Sequence, residues 1–302
     1  MPGKPWNDDE AALLKRLIES GKSYADAAGE LRKAGWKRNV NAVRLKAKGE
    51  GWQSRWTRPS PVAPYADPLV VEGDALILSD MHCPFHDADW AERCMRLAVR
   101  WDVHIVGLPG DLIDMAAFSS FAKRDDVTFK EEVRATEAML QSLAEHFDTI
   151  IYAPGNHEHR ITRKVDYMGD IATFADMWIK SEKVRLVEHH LFMIVSGGER
   201  FRITHPKNAS IQATAVPRKL CAKYNSNVIS GHGHLVGMTR DDSGRFWAID
   251  CGVMADPRRI DYLQLEDSTR PMVGQGCVII KSGVPVLLTP QNIAFYETLS
   301  VS

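Results

Sequence analysis

Five short polar motifs follow one another along this 302-residue chain, each a few residues beyond an apolar run. The runs are residues 75–78, 103–106, 149–153, 201–203 and 227–229, and the motifs beyond them contain Asp80, Asp111, Asn156, His205 and His232. Two intervening stretches, residues 88–101 and 129–147, have helical apolar spacing. Strands that alternate with helices predict an α/β sheet, whose ligands gather outside the carboxyl ends of its strands. We therefore expect all five motifs to converge at one edge of a sheet.

The C-terminal part of the chain is richer in strand signals. Residues 246–249, 278–280 and 284–288 are short apolar runs with few helical features between them. This pattern predicts that the C-terminal strands form a second sheet.

Seven side chains in the polar motifs are of the types that bind metals. They are Asp80, His82, Asp111, Asn156, His205, His232 and His234. Imidazole, carboxylate and amide oxygen suit first-row transition metals, and the lack of sulfur ligands argues against a structural zinc site. Two divalent ions held by only two carboxylates leave a charge of about +2, which attracts phosphate. Metals ~3.5–4 Å apart can share a water and present hydroxide for in-line attack on phosphorus.

The composition and order of these motifs resemble those of the calcineurin-like metallophosphoesterases. The resemblance spans residues 80–234 and implies two packed mixed β-sheets flanked by helices. It also implies manganese, iron, zinc or another divalent metal, with manganese as our first expectation. By the same resemblance, one metal is held by Asp80, His82, Asp111 and His234, and Asp111 bridges to a second metal held by Asn156, His205 and His232.

The resemblance also implies an acid for the leaving oxygen. His157 matches the family's catalytic histidine, and in the protein phosphatases of this superfamily an aspartate placed like Asp114 orients it. We therefore predict an Asp114–His157 pair in which the carboxylate fixes the imidazole tautomer. The protein phosphatases continue with arginine and glycine, whereas this chain has Met115 and Ala116. That departure disfavours a protein-phosphatase role.

Several cationic or imidazole side chains neighbour the motifs. His86, His159, Arg160 and Arg163 are candidate substrate-binding residues, because an arginine there can pair with a phosphate. Lys207 and Asn208 are weaker candidates, and salt bridges or solvent exposure are the alternative. Histidines outside the motifs are expected to be packed or exposed without a functional role; they are His104, His146, His189 and His190.

Residues 1–57 are predicted to form a separate three-helix domain. Asn7 can cap the first helix, Ser23 the second, and either Asn39 or Asn41 the third. The three tryptophans of this segment are expected to be its bulky core; they are Trp6, Trp36 and Trp52.

The same segment is basic, whereas the rest of the chain is acidic. Residues 31–58 contain nine Lys/Arg and one acidic residue. The helices and their charge resemble a Myb-like or related helix-turn-helix module, which implies that a basic third helix enters a major groove. The candidate DNA-binding residues are Arg38, Asn39, Asn41, Arg44, Lys46 and Lys48. The alternative is a solvated bundle used for protein contacts or oligomerisation.

Four prolines make residues 58–70 a semi-rigid linker before a domain of residues 71–302. The sequence has neither a run of ~20 apolar residues nor an apolar N-terminal signal, so we expect a cytoplasmic protein without membrane contact. The five scattered cysteines are expected to be reduced and packed. The oligomeric state stays open.

The leading functional hypothesis is a dinuclear-metal phosphoesterase that acts on nucleic acid or nucleotides, as a nuclease-like phosphodiesterase or as an end phosphatase. The combination of domains resembles proteins encoded by bacteriophages or prophages. A second hypothesis is a small-molecule phosphatase or cyclic-nucleotide phosphodiesterase whose basic head serves assembly. A third is an inactive scaffold that binds DNA or a protein partner.

Overall fold

A computed structural model describes most of the chain. The described residues are 5–20, 22, 24–52, 67–119, 127–165, 169–259 and 273–299. They fall into two compact units, Met1–Pro64 and Tyr65–Ser302. The predicted cap Ser23 and most of the predicted linker lie outside the described residues.

The first unit contains three helices, α1 (Asp8–Glu19), α2 (Tyr24–Lys33) and α3 (Val40–Gly49). The side chain of Asn7 accepts the amide of Glu10 at 2.8 Å and so caps α1. The third helix is capped by Asn39, which accepts the amide of Ala42 at 2.8 Å; Asn41 lies inside the helix.

The prediction that tryptophans form the core of this unit is wrong. The buried core consists of Leu14, Ile18, Ala27, Ala28, Leu31, Val43 and Ala47, and the three tryptophans are only partly buried against it. Alanines on α2 and α3 leave too little space between the helices for an indole ring, so the tryptophans pack around the rim.

The second unit is an α/β domain. Its strands are β1 (Val70–Glu72), β2 (Ala75–Ile77), β3 (Ile105–Pro109), β4 (Thr149–Ala153), β5 (Val184–Leu186), β6 (Leu191–Ser196), β7 (Glu199–Thr204), β8 (Asn227–Ser230), β9 (Val236–Arg240), β10 (Trp247–Cys251), β11 (Cys277–Lys281) and β12 (Val284–Leu288). Its helices are α4 (Ala88–Arg100), α5 (Phe129–His146), α6 (His159–Lys164), α7 (Ile171–Ala175), α8 (Ala215–Tyr224) and α9 (Ile293–Thr298), with short 3-10 turns at Ala116–Phe118 and Pro257–Arg259.

These strands form two mixed sheets within the described residues. One sheet has the order β1-β6-β7-β8-β10-β9 and the other β12-β11-β2-β3-β4-β5. The prediction that the C-terminal strands make a sheet of their own is wrong, because β11 pairs antiparallel with β2 while β10 pairs parallel with β8. Strand β11 is buried along almost its whole length, which suits a position inside an existing sheet rather than at the edge of a new one.

The two sheets pack face to face, and helices cover their outer faces. Side chains alternate along β2, so that Ile77 joins the core between the sheets and Leu76 joins the core beneath α4 and α5. On the other sheet, Val228 and Ala248 pack against Cys221 of α8. This arrangement confirms the predicted fold of two mixed sheets flanked by helices.

All five polar motifs meet at one place, where the carboxyl ends of strands from both sheets lie together. Strands β2, β3 and β4 lead into Asp80, Asp111 and Asn156, whereas β7 and β8 of the other sheet lead into His205 and His232. The prediction of one sheet edge is therefore corrected, since both sheets contribute. None of the helices in the described part of the chain is long and apolar enough to cross a membrane.

Candidate metal centre

Asp111 lies at the middle of the polar cluster. Its Oδ2 is 3.3 Å from Nε2 of His205, and its Oδ1 accepts the backbone amide of His157 at 2.9 Å. Nε2 of His205 is also 3.0 Å from Oδ1 of Asn156. His232 completes this half, because its ligand atom lies within 4.8 Å of those of Asp111 and His205.

Asp80 organises the other half of the cluster. Its Oδ1 lies 3.2 Å from Nε2 of His234 and 4.0 Å from Nε2 of His82. The backbone amide of His232 donates to both carboxylate oxygens of Asp80, at 3.1 and 3.0 Å. One carboxylate thus positions a histidine of the neighbouring sheet as well as facing two imidazoles.

The donor atoms of this cluster fit divalent metals. Nδ1 of His82 lies 2.8 Å from the Asp114 carboxylate, and Nδ1 of His205 lies 2.8 Å from the carbonyl oxygen of Pro109, so both Nδ1 atoms carry the hydrogen. Each ring therefore turns Nε2 towards the cluster. Nε2 of His82 is only 3.2 Å from Nε2 of His234, and at most one proton fits between them. Convergent lone pairs beside buried carboxylates are the environment that a first-row divalent cation satisfies.

Neighbouring charges shift the pKa values of two candidate ligands. Burial would raise the pKa of Asp80, but hydrogen bonding and charge from His234 outweigh burial and lower it to about 2. Burial would lower the pKa of His205, but the carboxylates of Asp111 and Asp80 raise it to about 10. The carboxylates that favour a proton on His205 would equally favour a metal cation, whose binding displaces such protons.

Five of the seven predicted ligands have left-handed backbone, which non-glycine residues rarely adopt. Their φ values are 54° at Asp80, 49° at His82, 51° at Asp111, 71° at His232 and 56° at His234. Such conformations cost on the order of 1 kcal/mol each and persist only where the surrounding structure enforces them. The enforcement is visible at Gly155, where a Cβ would collide with the side chain and amide of Asp111.

Asp114 lies between two histidines. Its Oδ1 is 2.8 Å from Nδ1 of His82 and 3.2 Å from Nδ1 of His157, and its backbone oxygen lies 2.7 Å from the same Nδ1 of His157. Burial opposes ionisation, but the hydrogen bonds from His157 and His82 hold the pKa of Asp114 well below its usual range. The structure thus brings the predicted Asp114–His157 pair together and adds His82 as a second partner.

Arg160 contacts Nε2, the second nitrogen of the His157 ring. Its Nη2 is 2.8 Å from Nε2 of His157, and its Nη1 donates to the backbone oxygen of Asp114 at 2.9 Å. A guanidinium can only donate, so Nε2 of His157 accepts and Nδ1 carries the hydrogen. The positions that hold arginine and glycine in protein phosphatases are occupied here by buried Met115 and Ala116.

Glu158 has a structural role that the sequence did not predict. This buried carboxylate accepts the amides of Leu112 at 2.8 Å and Gly155 at 2.7 Å and the hydroxyl of Tyr152 at 2.7 Å. It also accepts the amide of Asp111 at 3.2 Å. Burial and Asp111 raise the pKa of Glu158, yet these contacts are all donors, so the ionised carboxylate is the form that fits. Glu158 ties two ligand loops together, and only its position beside His157 could have signalled this.

The buried carboxylates also correct the predicted charge of the site. Besides Asp80 and Asp111, the structure places the ionised side chains of Asp114 and Glu158 in the same cluster. Two divalent ions, four carboxylates and the guanidinium of Arg160 sum to about +1 rather than the predicted +2. Attraction of a phosphate then depends more heavily on neighbouring cations.

The remaining candidate substrate residues are placed differently. His159 is half-buried and packs against His190, whereas Arg163 and Lys207 are exposed, as is Asn208. His86 pairs with Ala255 through the backbone, and its buried Nδ1 has no hydrogen-bond partner among the described residues. Of the histidines outside the motifs, His104 pairs with Asp102 at 3.0 Å on the surface.

In the N-terminal unit, some DNA-binding candidates have structural roles. Arg38 forms a two-point ion pair with buried Glu10, at 2.5 and 2.8 Å, and lies 4.4 Å from the Trp6 ring. Asn39 caps α3, and Lys46 pairs with Glu50 at 2.6 Å. The exposed residues at helical spacing on α3 are Asn41, Arg44, Leu45 and Lys48. Arg44 donates to Asn41 at 2.7 Å, and Leu45 is 60% exposed.

The geometry agrees with the similarity of the chain to known proteins. Residues 74–236, more than half of the chain, match the family described as Calcineurin-like phosphoesterase. No curated protein sequence matches the chain.

Among solved structures, the chain is similar to Yfce, a phosphoesterase from E. coli, at 12% identity over 72% of this chain and 93% of that chain, with a TM-score of 0.41. It is also similar to Vps29 of Chaetomium thermophilum, at 10% identity over 68% and 82% of the two chains, with a TM-score of 0.40. Vps29 of Entamoeba histolytica complexed with Zn²⁺ has 10% identity over 72% and 97%, with a TM-score of 0.33. Similarities at these TM-scores carry no argument about substrate.

Proposed function

Because the chain belongs to the calcineurin-like phosphoesterase family, we propose that it is a metal-dependent hydrolase of phosphate esters whose substrate is a nucleic acid. The observation that carries the proposal is the convergence of two three-residue ligand groups, joined through Asp111, beside the Asp114–His157 pair. One group is Asp80, His82 and His234, and the other is Asp111, His205 and His232.

The ligand set would hold two divalent ions, with Asp111 between them and Asn156 completing the second group. When bound, such ions supply Lewis acidity to a phosphate and lower the pKa of water. Manganese is the first choice because oxygen and nitrogen donors predominate and sulfur is absent; iron and zinc suit the same imidazoles.

His157 supplies the proton for the leaving oxygen. Asp114 fixes the ring by accepting from Nδ1, which leaves Nε2 as the atom that exchanges a proton with the substrate. Arg160 occupies that atom in the free chain. A substrate phosphate offers Arg160 a charged, two-oxygen partner, so binding would draw the guanidinium off His157. The exposed Nε2 would then take up a proton from water and pass that proton to the leaving oxygen.

The substrate class is argued from the N-terminal unit. The exposed face of α3 combines a guanidinium at Arg44, an ammonium at Lys48 and an amide at Asn41 around the apolar side chain of Leu45. Cations on such a face bind DNA phosphates, an amide reads adenine, and an apolar group contacts the thymine methyl. Arg38 is assigned to the stability of the bundle rather than to DNA, because Glu10 and Trp6 hold it.

The decisive experiment compares substrates and binding with the full chain. We expect the manganese-loaded protein to hydrolyse a generic aryl phosphate diester and DNA. The double variant Arg44→Ala/Lys48→Ala should bind duplex DNA more weakly, with the slope of log K against log salt reduced by about 1 for each charge. The matched control Lys15→Ala/Arg16→Ala removes the same charge from α1.

Each failure has a separate meaning. Absence of hydrolysis of any aryl phosphate ester by metal-loaded protein would refute the enzymatic proposal and favour a binding scaffold. Hydrolysis of small esters together with unchanged DNA binding in the α3 variant would refute the DNA proposal. The small-molecule phosphatase or cyclic-nucleotide phosphodiesterase would then be preferred.

A further inference from the structure

Two imidazole rings pack together beside one half of the metal centre. The ring centroids of His159 and His190 lie 5.1 Å apart at an interplanar angle of 69°. Nδ1 of His190 is 2.7 Å from the carbonyl oxygen of Pro154, and its backbone oxygen accepts the amide of His205 at 2.9 Å. The pair is therefore fixed next to the loop that carries Asn156 and to the strand end that carries His205.

Two cations flank these rings. Arg163 lies one helical turn after His159 on α6, and Lys207 lies two residues after His205. Both side chains are exposed, and within the described ranges neither forms an ion pair. His159 and Arg163 share one face of α6, and Lys207 follows the strand end whose His205 amide bonds to His190. We name these four residues the flanking shelf: His159, Arg163, His190 and Lys207.

The rings of the shelf are neutral aromatic surfaces rather than further cations. Burial, followed by the charges of His190, Arg163 and Lys207, lowers the pKa of His159 to about 4. At neutral pH the shelf therefore presents the uncharged ring of His159, packed against the ring of His190, together with two fixed positive charges.

A small phosphate ester bound at the metal centre has no second group that could contact the side chains of the shelf. A nucleotide chain has, next to the reacting phosphate, both a base with a π-face and a further phosphate. Neutral aromatic rings edged by cations are the combination by which proteins hold single strands without reading sequence. Cations also matter here because four buried carboxylates cancel the charge of two metals.

We propose that the flanking shelf binds the nucleotide adjacent to the scissile phosphate of a single-stranded nucleic acid, with a ring of the His159–His190 pair against the base and Arg163 and Lys207 on its phosphate. This inference rests on the proposed function and narrows it, since it makes an oligonucleotide a better substrate than a small diester.

The test makes two measurements with the full chain in the Arg44→Ala/Lys48→Ala background, so that α3 does not mask the shelf. The first is the ratio of kcat/KM for oligothymidylate to kcat/KM for bis(p-nitrophenyl) phosphate, with manganese. We expect Arg163→Ala/Lys207→Ala to lower this ratio about tenfold or more and to reduce the salt slope of oligothymidylate binding by about 0.7 per charge. The control pair Lys219→Ala/Lys223→Ala on α8 should leave the ratio unchanged.

The second measurement, the affinity for oligothymidylate, tests the contribution of the rings. His159→Ala should weaken binding of fluorescent oligothymidylate by about fivefold or more in anisotropy measurements, and His159→Phe, which retains an aromatic face, should restore it. Equal losses of kcat/KM on both substrates would overturn the proposal. So would oligothymidylate binding as strong as wild type in both Arg163→Ala/Lys207→Ala and His159→Ala.

Binding without metal separates this proposal from the proposed function. If the wild-type chain hydrolyses neither substrate but the shelf variants still lose oligothymidylate binding, the enzymatic proposal fails and the shelf stands. If hydrolysis occurs and the ratio is unchanged, the shelf fails and the enzyme stands.

Discussion

The guanidinium of Arg160 lies 2.8 Å from Nε2 of His157 and also donates at 2.9 Å to the Asp114 backbone oxygen, which faces Nδ1 of the same ring at 2.7 Å. Because a guanidinium only donates, the free chain holds His157 as an acceptor at Nε2. A histidine in this state has no proton at Nε2 to give to a leaving oxygen. His157 can therefore act as the acid only after Arg160 takes another partner and Nε2 gains a proton.

Arg160→Ala should raise KM for phosphate esters by roughly 10- to 100-fold, because a charge-assisted hydrogen bond is worth about 1.5–3 kcal/mol. Arg160→Lys should recover only part of the loss, since an ammonium lacks the two-point geometry. Steady-state kinetics with Arg185→Ala, a surface arginine of β5, as control would measure the split between KM and kcat. A lower kcat with KM unchanged would mean that Arg160 only shapes His157.

His157→Ala should slow hydrolysis according to the leaving group. We expect a loss of about 10²–10⁴-fold for phenyl phosphate, whose leaving oxygen needs a proton. The loss for p-nitrophenyl phosphate should be much smaller, because nitrophenolate leaves without one. Metal content by elemental analysis and the surface variant His146→Ala serve as controls. Identical losses for both esters would exclude His157 as the acid.

Glu158→Gln should weaken both fold and activity. The amide group would face backbone N–H donors at 2.7–2.8 Å, which leaves buried donors unsatisfied at a cost of about 1–3 kcal/mol. Thermal unfolding should show a Tm lower by several degrees, whereas exposed Glu145→Gln should not shift it. A wild-type Tm for Glu158→Gln would show that the two ligand loops do not depend on this carboxylate.

The Glu10–Arg38 pair should make the stability of the first unit depend on acid pH. The hydrogen bond from Arg38, despite opposing burial, holds the pKa of Glu10 below its usual value of 4.5. Because the folded-state pKa lies below the unfolded one, the pair stabilises the unit fully above about pH 4.5 and loses that contribution as pH falls through the folded-state pKa.

Hydrogen exchange of α1 and α3, corrected for the intrinsic rate at each pH, would measure this. Wild-type protection should decline in that acid range, and Glu10→Gln should show lower protection at neutral pH with a flatter acid dependence. Lys33→Gln, which breaks the exposed Lys33–Glu30 pair at 2.8 Å, is the control. Equal acid dependence in wild type and Glu10→Gln would contradict the assignment.

The fold class and the clustering of the candidate ligands could be predicted, because short stretches of sequence indicate both. An apolar run that ends at Asp80 or Asp111 marks a strand and its carboxyl end together. The sheet that receives β11 could not be predicted, since an apolar strand reads the same beside β2 as in a sheet of its own. Glu158 was missed for a similar reason, because its partner Asp111 is 47 residues away. The cytoplasmic location and the functions of the first unit stay predictions.

The geometry of this centre depends on its backbone as well as on its residue types, because Asp80, His82, Asp111, His232 and His234 all have left-handed backbone. The same residues placed on an ordinary strand end or helix would point their side chains in other directions. A designer who wishes to transplant the centre must therefore move the bends along with the residues.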